Sequence, residues 1–332
     1  AGFLDATGMS LVNLRLIMYT VVVLATAGFV WVERRAKEPV LPPSFFKNRN
    51  YVLLISVATL FGAAFLGSIL YLTQFNQQVF GATPTESGLM LLPMIGGLMF
   101  TAISSGQIIS KTGRYKVFMQ IGIVLATVMV AALSTLTPQS PYIYEAVIMV
   151  FLGAGLGVVM PILNLAIQNE FAQRELGAAT SSNQLFRSLG STIGIAVFGA
   201  MLTAGLTTGL AGIQSQPYLA QLKQSPTASK IGSFDDSNTL LNLNAPDVKH
   251  KITTGFNSSV STLPMPMREK ATQEFTKNQT DYSNKITKAF SDSLQRIFLV
   301  SAGLMLAATV LVFSLKERQL KSASPEQSPG VA

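Results

Sequence analysis

The chain has 332 residues, 49% of them hydrophobic and only 12% charged, with a formal net charge of +8. A soluble domain carries about 25% charged residues, so the deficit argues for burial in lipid. The basic excess lies beside apolar runs and in one long polar segment. It forms no clustered basic face of the kind a nucleic-acid binder needs, and part of it is placed to touch anionic lipid headgroups. The chain holds no cysteine, which excludes disulfides, thiol catalysis and thiolate metal sites. No metal ligand cluster, catalytic triad or phosphate loop is present, so no metal and no cofactor is expected, and His250 in polar sequence reads as a solvated side chain.

Seven apolar stretches follow in order: 14–32, 51–72, 88–110, 117–136, 143–167, 185–206 and 297–315. Each is about the twenty residues a helix needs to cross a ~30 Å hydrocarbon layer. The expected fold class is therefore all-α, a polytopic transmembrane helical bundle. The connections alternate in charge. Arg34, Arg35, Lys37, Lys47 and Arg49 follow the first stretch, and Lys111, Arg114 and Lys116 follow the third. Arg174 follows the fifth, with Arg187 at its far edge, and Lys316, Arg318 and Lys321 follow the seventh. The short connections 73–87 and 137–142 carry no Lys or Arg. The positive-inside rule then puts the basic side in the cytoplasm, with the N-terminus outside and the C-terminus inside. The first ten residues lack the basic start of a signal peptide. Seven spans beginning outside read as a chain that starts within a longer protein.

The division expected is a first helix with a Pro-rich connector over 1–50, five helices over 51–206, a polar extracytoplasmic loop over 207–292, a last span over 293–318 and a cytoplasmic tail over 319–332. Pro39, Pro42 and Pro43 stiffen the connector. Within the loop, Ala271, Phe275, Tyr282, Ile286, Ala289, Phe290 and Leu294 recur at helical spacing and predict a partly helical excursion into the last span. Asn257-Ser-Ser and Asn278-Gln-Thr fit the glycosylation sequon, which matters only in a eukaryotic secretory context.

Three groups of residues carry the local chemistry. Gly106-Gln-Ile-Ile-Ser110-Lys111-Thr-Gly113-Arg114-Tyr-Lys116 closes the third stretch with two glycines and three cations. It reads as a basic turn or as a conformational latch between helix bundles. Gly153 and Gly157, then Gly190 and Gly194, lie four apart and allow close helix approach, while Pro161 permits a bend. Polar side chains are costly in lipid unless used. Asn164 and Gln168 on one face of the fifth stretch, Asn183 and Gln184 at the start of the sixth, and Tyr71, Gln74 and Asn76 at the end of the second are therefore candidates for a substrate path or for interhelical bonds. Met90, Met94 and Met99 with Phe61 and Phe65 would make an adaptable apolar cavity. No Asp or Glu falls in mid-span, and Asp5 and Glu145 near the outer face are poor proton carriers by position.

The Gly106–Lys116 motif resembles the loop motif of the major facilitator superfamily, G-x-x-x-D-[RK]-x-G-R-[RK]. Gly106, Lys111, Gly113 and Arg114 match, and Lys116 matches one place late. Ser110 stands where that family has Asp, which removes the carboxylate of its charge clamp and fits the weaker second-half copy. The segments Glu33–Arg49, Tyr71–Pro93 and Gln184–Gly199 are similar to 14-span drug exporters of the QacA/EmrB kind, the drug:proton antiporter-2 family. The resemblance implies the C-terminal six-helix bundle of the major facilitator fold plus one extra linker helix. It implies efflux of a lipophilic, often cationic small molecule in exchange for protons by alternating access. It places the protein in the bacterial cytoplasmic (inner) membrane, with the coupling acid in an N-terminal half outside this chain. A periplasmic adaptor is a further partner such an exporter can take. Export of a physiological solute (amino acid, lipid or siderophore) and a non-transporting membrane half remain open beside it.

Overall fold

The computed structural model describes residues 11–36, 41–223 and 237–316. The expectations placed on Asp5, Lys37, Pro39, Arg318, Lys321 and the 319–332 tail lie outside the described residues. Those described are helical with short connections and contain no strand, and seven helices are long and apolar enough to cross a membrane. The chain is an all-α polytopic transmembrane bundle.

Helix α1 (Leu11–Glu33) stands apart, its apolar side chains exposed along its length. At its end the Arg35 guanidinium lies 4.3 Å over the Trp31 ring. Helix α2 (Arg49–Gln78) starts where the Asn48 side chain accepts from the Asn50 and Tyr51 amides, which satisfies two of the four free donors at a helix start. The third apolar stretch is broken. A short α3 (Pro84–Leu89) opens with a Thr83–Glu86 capping box, and α4 (Leu92–Thr112) begins two residues after it ends. Gly113 ends α4 at φ 67°, a left-handed position that suits glycine. Then come α5 (Lys116–Leu133), α6 (Tyr142–Asn169, with Pro161 inside it) and α7 (Leu176–Gly209).

Six helices pack as a bundle in which α6 lies between α4 and α5, and α2 pairs with α7. The last helix, α11 (Met265–Phe313), packs against α2, α5 and α7. Glycines set the closest crossings. A side chain at Gly153 or Gly157 would overlap the Met94 or Leu98 carbonyl of α4, and one at Gly190 or Gly194 would collide with Thr59 or Ala63 of α2. Close approach lets Thr101 of α4 donate to the Ala154 carbonyl of α6 at 2.8 Å. Thr127 of α5 meets Thr309 of α11 at 2.9 Å.

The bundle has two distinct ends. Asn50, Tyr115, Lys116, Glu170 and Lys316 meet at the basic end. At the far end, α8 (Pro217–Lys223), α9 (Ser237–Leu243) and α10 (Pro246–Ser259) pack on the first half of α11. Their core holds Tyr218, Leu222, Leu240, Phe275 and Tyr282, with Phe256 stacked on Phe275 at 4.0 Å. The excursion expected to be partly helical is one continuous helix with the last span, 49 residues long and therefore about 75 Å at 1.5 Å per residue.

Candidate functional site

Two amide pairs join α6 to α7. Asn164 and Gln168, one turn apart on α6, face the start of α7. The Asn183 amide donates to Asn164 Oδ1, and the Gln168 amide donates to Thr180 Oγ1 at 3.0 Å. Asn183 is buried, while Asn164 and Gln168 are half-exposed. On the same side of α6, Ile143, Val147 and Phe151 toward the far end and Pro161 beside Asn164 are exposed, with half-buried Ala154 and Val158 between them. The rest of α6 packs mainly on α4 and α5, with lighter contacts to α7 and α2. Nearby on α7, Arg187 donates to the Gln184 side chain.

The other candidates for a substrate path divide between seams. Phe61 is enclosed and stacks on half-buried Phe65 with ring centroids 5.7 Å apart. Buried Tyr71 donates to the Ile195 carbonyl of α7 at 3.3 Å, and Gln74 is half-exposed further along α2. Met90 sits at the break between α3 and α4, its carbonyl accepting from Tyr142 at 3.0 Å. The three methionines do not share a face, contrary to the reading of the third stretch. Met94 is enclosed at 5% exposure and Met99 points outward at 58%. Met94 and Met99 are five residues apart on one helix and so about 140° apart around its axis, while Met90 lies before the break at 90–91.

In the 106–116 turn, Gly106 faces open space, and the Ser110 hydroxyl turns back onto the Gln107 carbonyl of its own helix at 2.9 Å. Lys111 and Arg114 are exposed and Lys116 is half-buried.

Two carboxyls gain a prominence that hydropathy did not give them. Glu170, buried at the basic end, accepts from Asn48 at 2.9 Å and from Asn50 at 3.0 Å. Asn50 Oδ1 accepts from the Lys316 backbone amide at 3.3 Å, so α2, α6 and α11 are tied together there. Glu145, in the first turn of α6 at the far end, is 0% exposed, and neither carboxyl oxygen has a hydrogen-bond partner. Asn76 of α2 lies beside it, also enclosed, with both amide atoms unpaired. A sequence signal for this existed. Ile148, Met149 and Leu152, one and two turns on, are core residues, and the helical period puts Glu145 on their face.

The fold and its two ends narrow the choice of family, and the match of residues 2–195 to the Major Facilitator Superfamily model decides it. This chain belongs to the major facilitator superfamily. It is a multi-pass membrane protein of a superfamily of transporters. It is 33% identical over 248 residues to the multidrug transporter protein MdtP of Bacillus subtilis, covering 73% of this chain and 46% of that relative. It is 32% identical over 222 residues to the multidrug resistance protein Stp of Mycobacterium tuberculosis, covering 64% of this chain and 39% of that relative. A tetracycline resistance determinant of Streptomyces rimosus is 25% identical over 310 residues, 91% of this chain and 82% of its own length. The chain thus spans less than half the length of the first of these relatives.

Proposed function

We propose that this superfamily member is the C-terminal part of a 14-span exporter of the drug:proton antiporter-2 kind, which moves lipophilic or cationic drugs outward in exchange for protons. In this reading the basic end is cytoplasmic, the far end and its helical excursion are outside, and the membrane is the bacterial cytoplasmic membrane. The observation that carries it is the partly open side of α6. One face of a helix otherwise wrapped by its own bundle is left partly uncovered and ends in Asn164 and Gln168, anchored to α7. An apolar surface with a few fixed polar groups suits lipophilic ligands, and a second bundle set against it would enclose them. The names of the relatives, multidrug transporter and multidrug resistance protein, point to the same substrate class.

Ethidium efflux from energised cells expressing the full-length protein tests this, with and without a protonophore. Protonophore-sensitive efflux above the empty-vector level is the expected result. Equal dye retention in both would overturn the drug-export reading.

A further inference from the structure

Glu145 and Asn76 face each other at the far end of α6 and α2, enclosed by the bundle and close enough to interact, but without a hydrogen bond of good geometry between them or to any other group. An ionised carboxylate in that position would be an unpaired buried charge, which costs several kcal/mol. The enclosed conformation therefore accommodates the neutral acid. Among the described residues of the helices packed around the pair, none offers a counter-charge. On α6 the other titratable groups at this end are Tyr142 and Tyr144. On α2, Asn76 is neutral and the nearest titratable residue along the helix is Tyr71, beyond the next turn. The far-end halves of α4 and α5 have no ionisable residue in their sequences, and Lys111 of α4 lies at the opposite, basic end. Glu86 of α3 is exposed and committed to the Thr83 cap. Asp292 and Arg296 of α11 border an open groove beside Ser134.

The basic end offers the comparison. There the same two helices also bring Asn and Glu together, and Asn50 and Glu170 are bonded. Along their length, α2 and α6 touch only lightly. They are thus fastened at one end and only juxtaposed at the other.

We propose that Glu145 is a proton-binding site that controls closure of the far end. With that end open, Glu145 is a hydrated carboxylate. It takes one proton from the water on that side, forming one O–H bond, and the neutral acid lets α6 close against Asn76. Opening reverses the step, and the proton returns to the same water. The proposal rests on the transport reading for its purpose but not for its chemistry.

These 332 residues hold no cysteine, so the test needs only that any cysteine elsewhere in the full-length protein be replaced first. In the full-length protein in sealed right-side-out vesicles, Ala146→Cys, buried next to Glu145, is labelled by a membrane-impermeant maleimide at a series of outside pH values. Rates are taken relative to Gln139→Cys in the exposed connection, which corrects for thiol ionisation. The expected result is relative labelling that falls severalfold as outside pH drops, is low and flat with Glu145→Gln, and regains its pH dependence with Glu145→Asp. Infrared difference spectra of the wild-type sequence against Glu145→Asp supply a second readout, a carboxylic-acid carbonyl band that moves with the substitution. Labelling with the same pH dependence in Glu145→Gln as in the parent, or no such band, overturns the proposal. Dye efflux absent while labelling stays pH-dependent would sink the drug-export reading and leave the proton site standing.

Discussion

Asn50 and Glu170, 120 residues apart in sequence, are joined by a 3.0 Å hydrogen bond that closes the basic end of the bundle. The same Asn50 side chain accepts from the Lys316 backbone amide, and Asn48 adds a second bond to Glu170. Asn50→Ala therefore removes one partner from the buried Glu170 carboxyl and another from the part-buried Lys316 amide. Leaving buried groups short of partners costs about 1–3 kcal/mol. Asn50→Ala should lower the unfolding midpoint of the detergent-solubilised protein by several degrees, more than Asn48→Ala does, because Asn48 contacts only the carboxylate and its own helix start. Equal midpoints for the parent and Asn50→Ala would remove this knot from the account of stability.

The glycine crossings predict a sharp contrast within one residue type. Gly153→Ala puts a methyl group onto the Met94 carbonyl and Gly190→Ala puts one onto that of Thr59, whereas Gly106→Ala meets open space. Backbone carbonyls at a helix crossing cannot step aside without parting the helices, and in lipid such crossings are where close packing supplies the association energy. Gly153→Ala and Gly190→Ala should each reduce the yield of monodisperse protein on size-exclusion chromatography by a large factor, with Gly106→Ala at the parental level. Good yield from Gly153→Ala would show that α4 and α6 can separate at no cost.

The spans were legible in the sequence because twenty apolar residues between charged or turn-rich connections leave few other structures open to the chain. What hydropathy lacks is rotation about each helix axis. Small residues four apart say that a helix can be approached closely, but Gly153 does not name α4 as its partner, nor Gly190 α2. The same lack hid Glu145 and Glu170. Each stands near a helix end, where charge reads as harmless, and each is turned inward by its position relative to core residues such as Ile148 and Ile167. Met99 shows the converse. It was grouped with Met94 by composition, but five residues on one helix turn through about 140°, which puts the two on different sides of α4.

The α6–α7 amides give a prediction about specificity. Asn183→Ala deprives Asn164 of its donor, and Gln168→Ala frees Thr180. If the partly open side of α6 meets the transported compound, both changes should alter efflux severalfold and unequally for chemically different dyes, measured at matched expression. Ile193→Ala, on the 60% exposed side of α7, should leave the ratios between dyes unchanged. A uniform loss for every dye would mean that these amides hold the helices together and do not touch substrate.

The helical excursion carries its own pH response. Tyr218 is enclosed among α8, α10 and α11, and its hydroxyl accepts from the Gln279 amide at 3.1 Å. Burial pushes its phenol above the ordinary tyrosine value, with the Gln279 bond acting the other way. The folded state therefore keeps a proton that an unfolded tyrosine loses near about pH 10. The resulting stability is fully present below that value and is lost as pH rises through it toward the higher folded value. Hydrogen exchange in the full chain should show α8 losing protection as pH rises above about 10, beyond the ordinary rise of exchange with pH in the transmembrane helices. Tyr218→Phe has no proton to lose, so its loss of protection should be shallower. It should also start from slightly weaker protection at neutral pH, because the Gln279 bond, worth about 1 kcal/mol, is gone. Identical alkaline profiles for the two proteins would assign the response to another group.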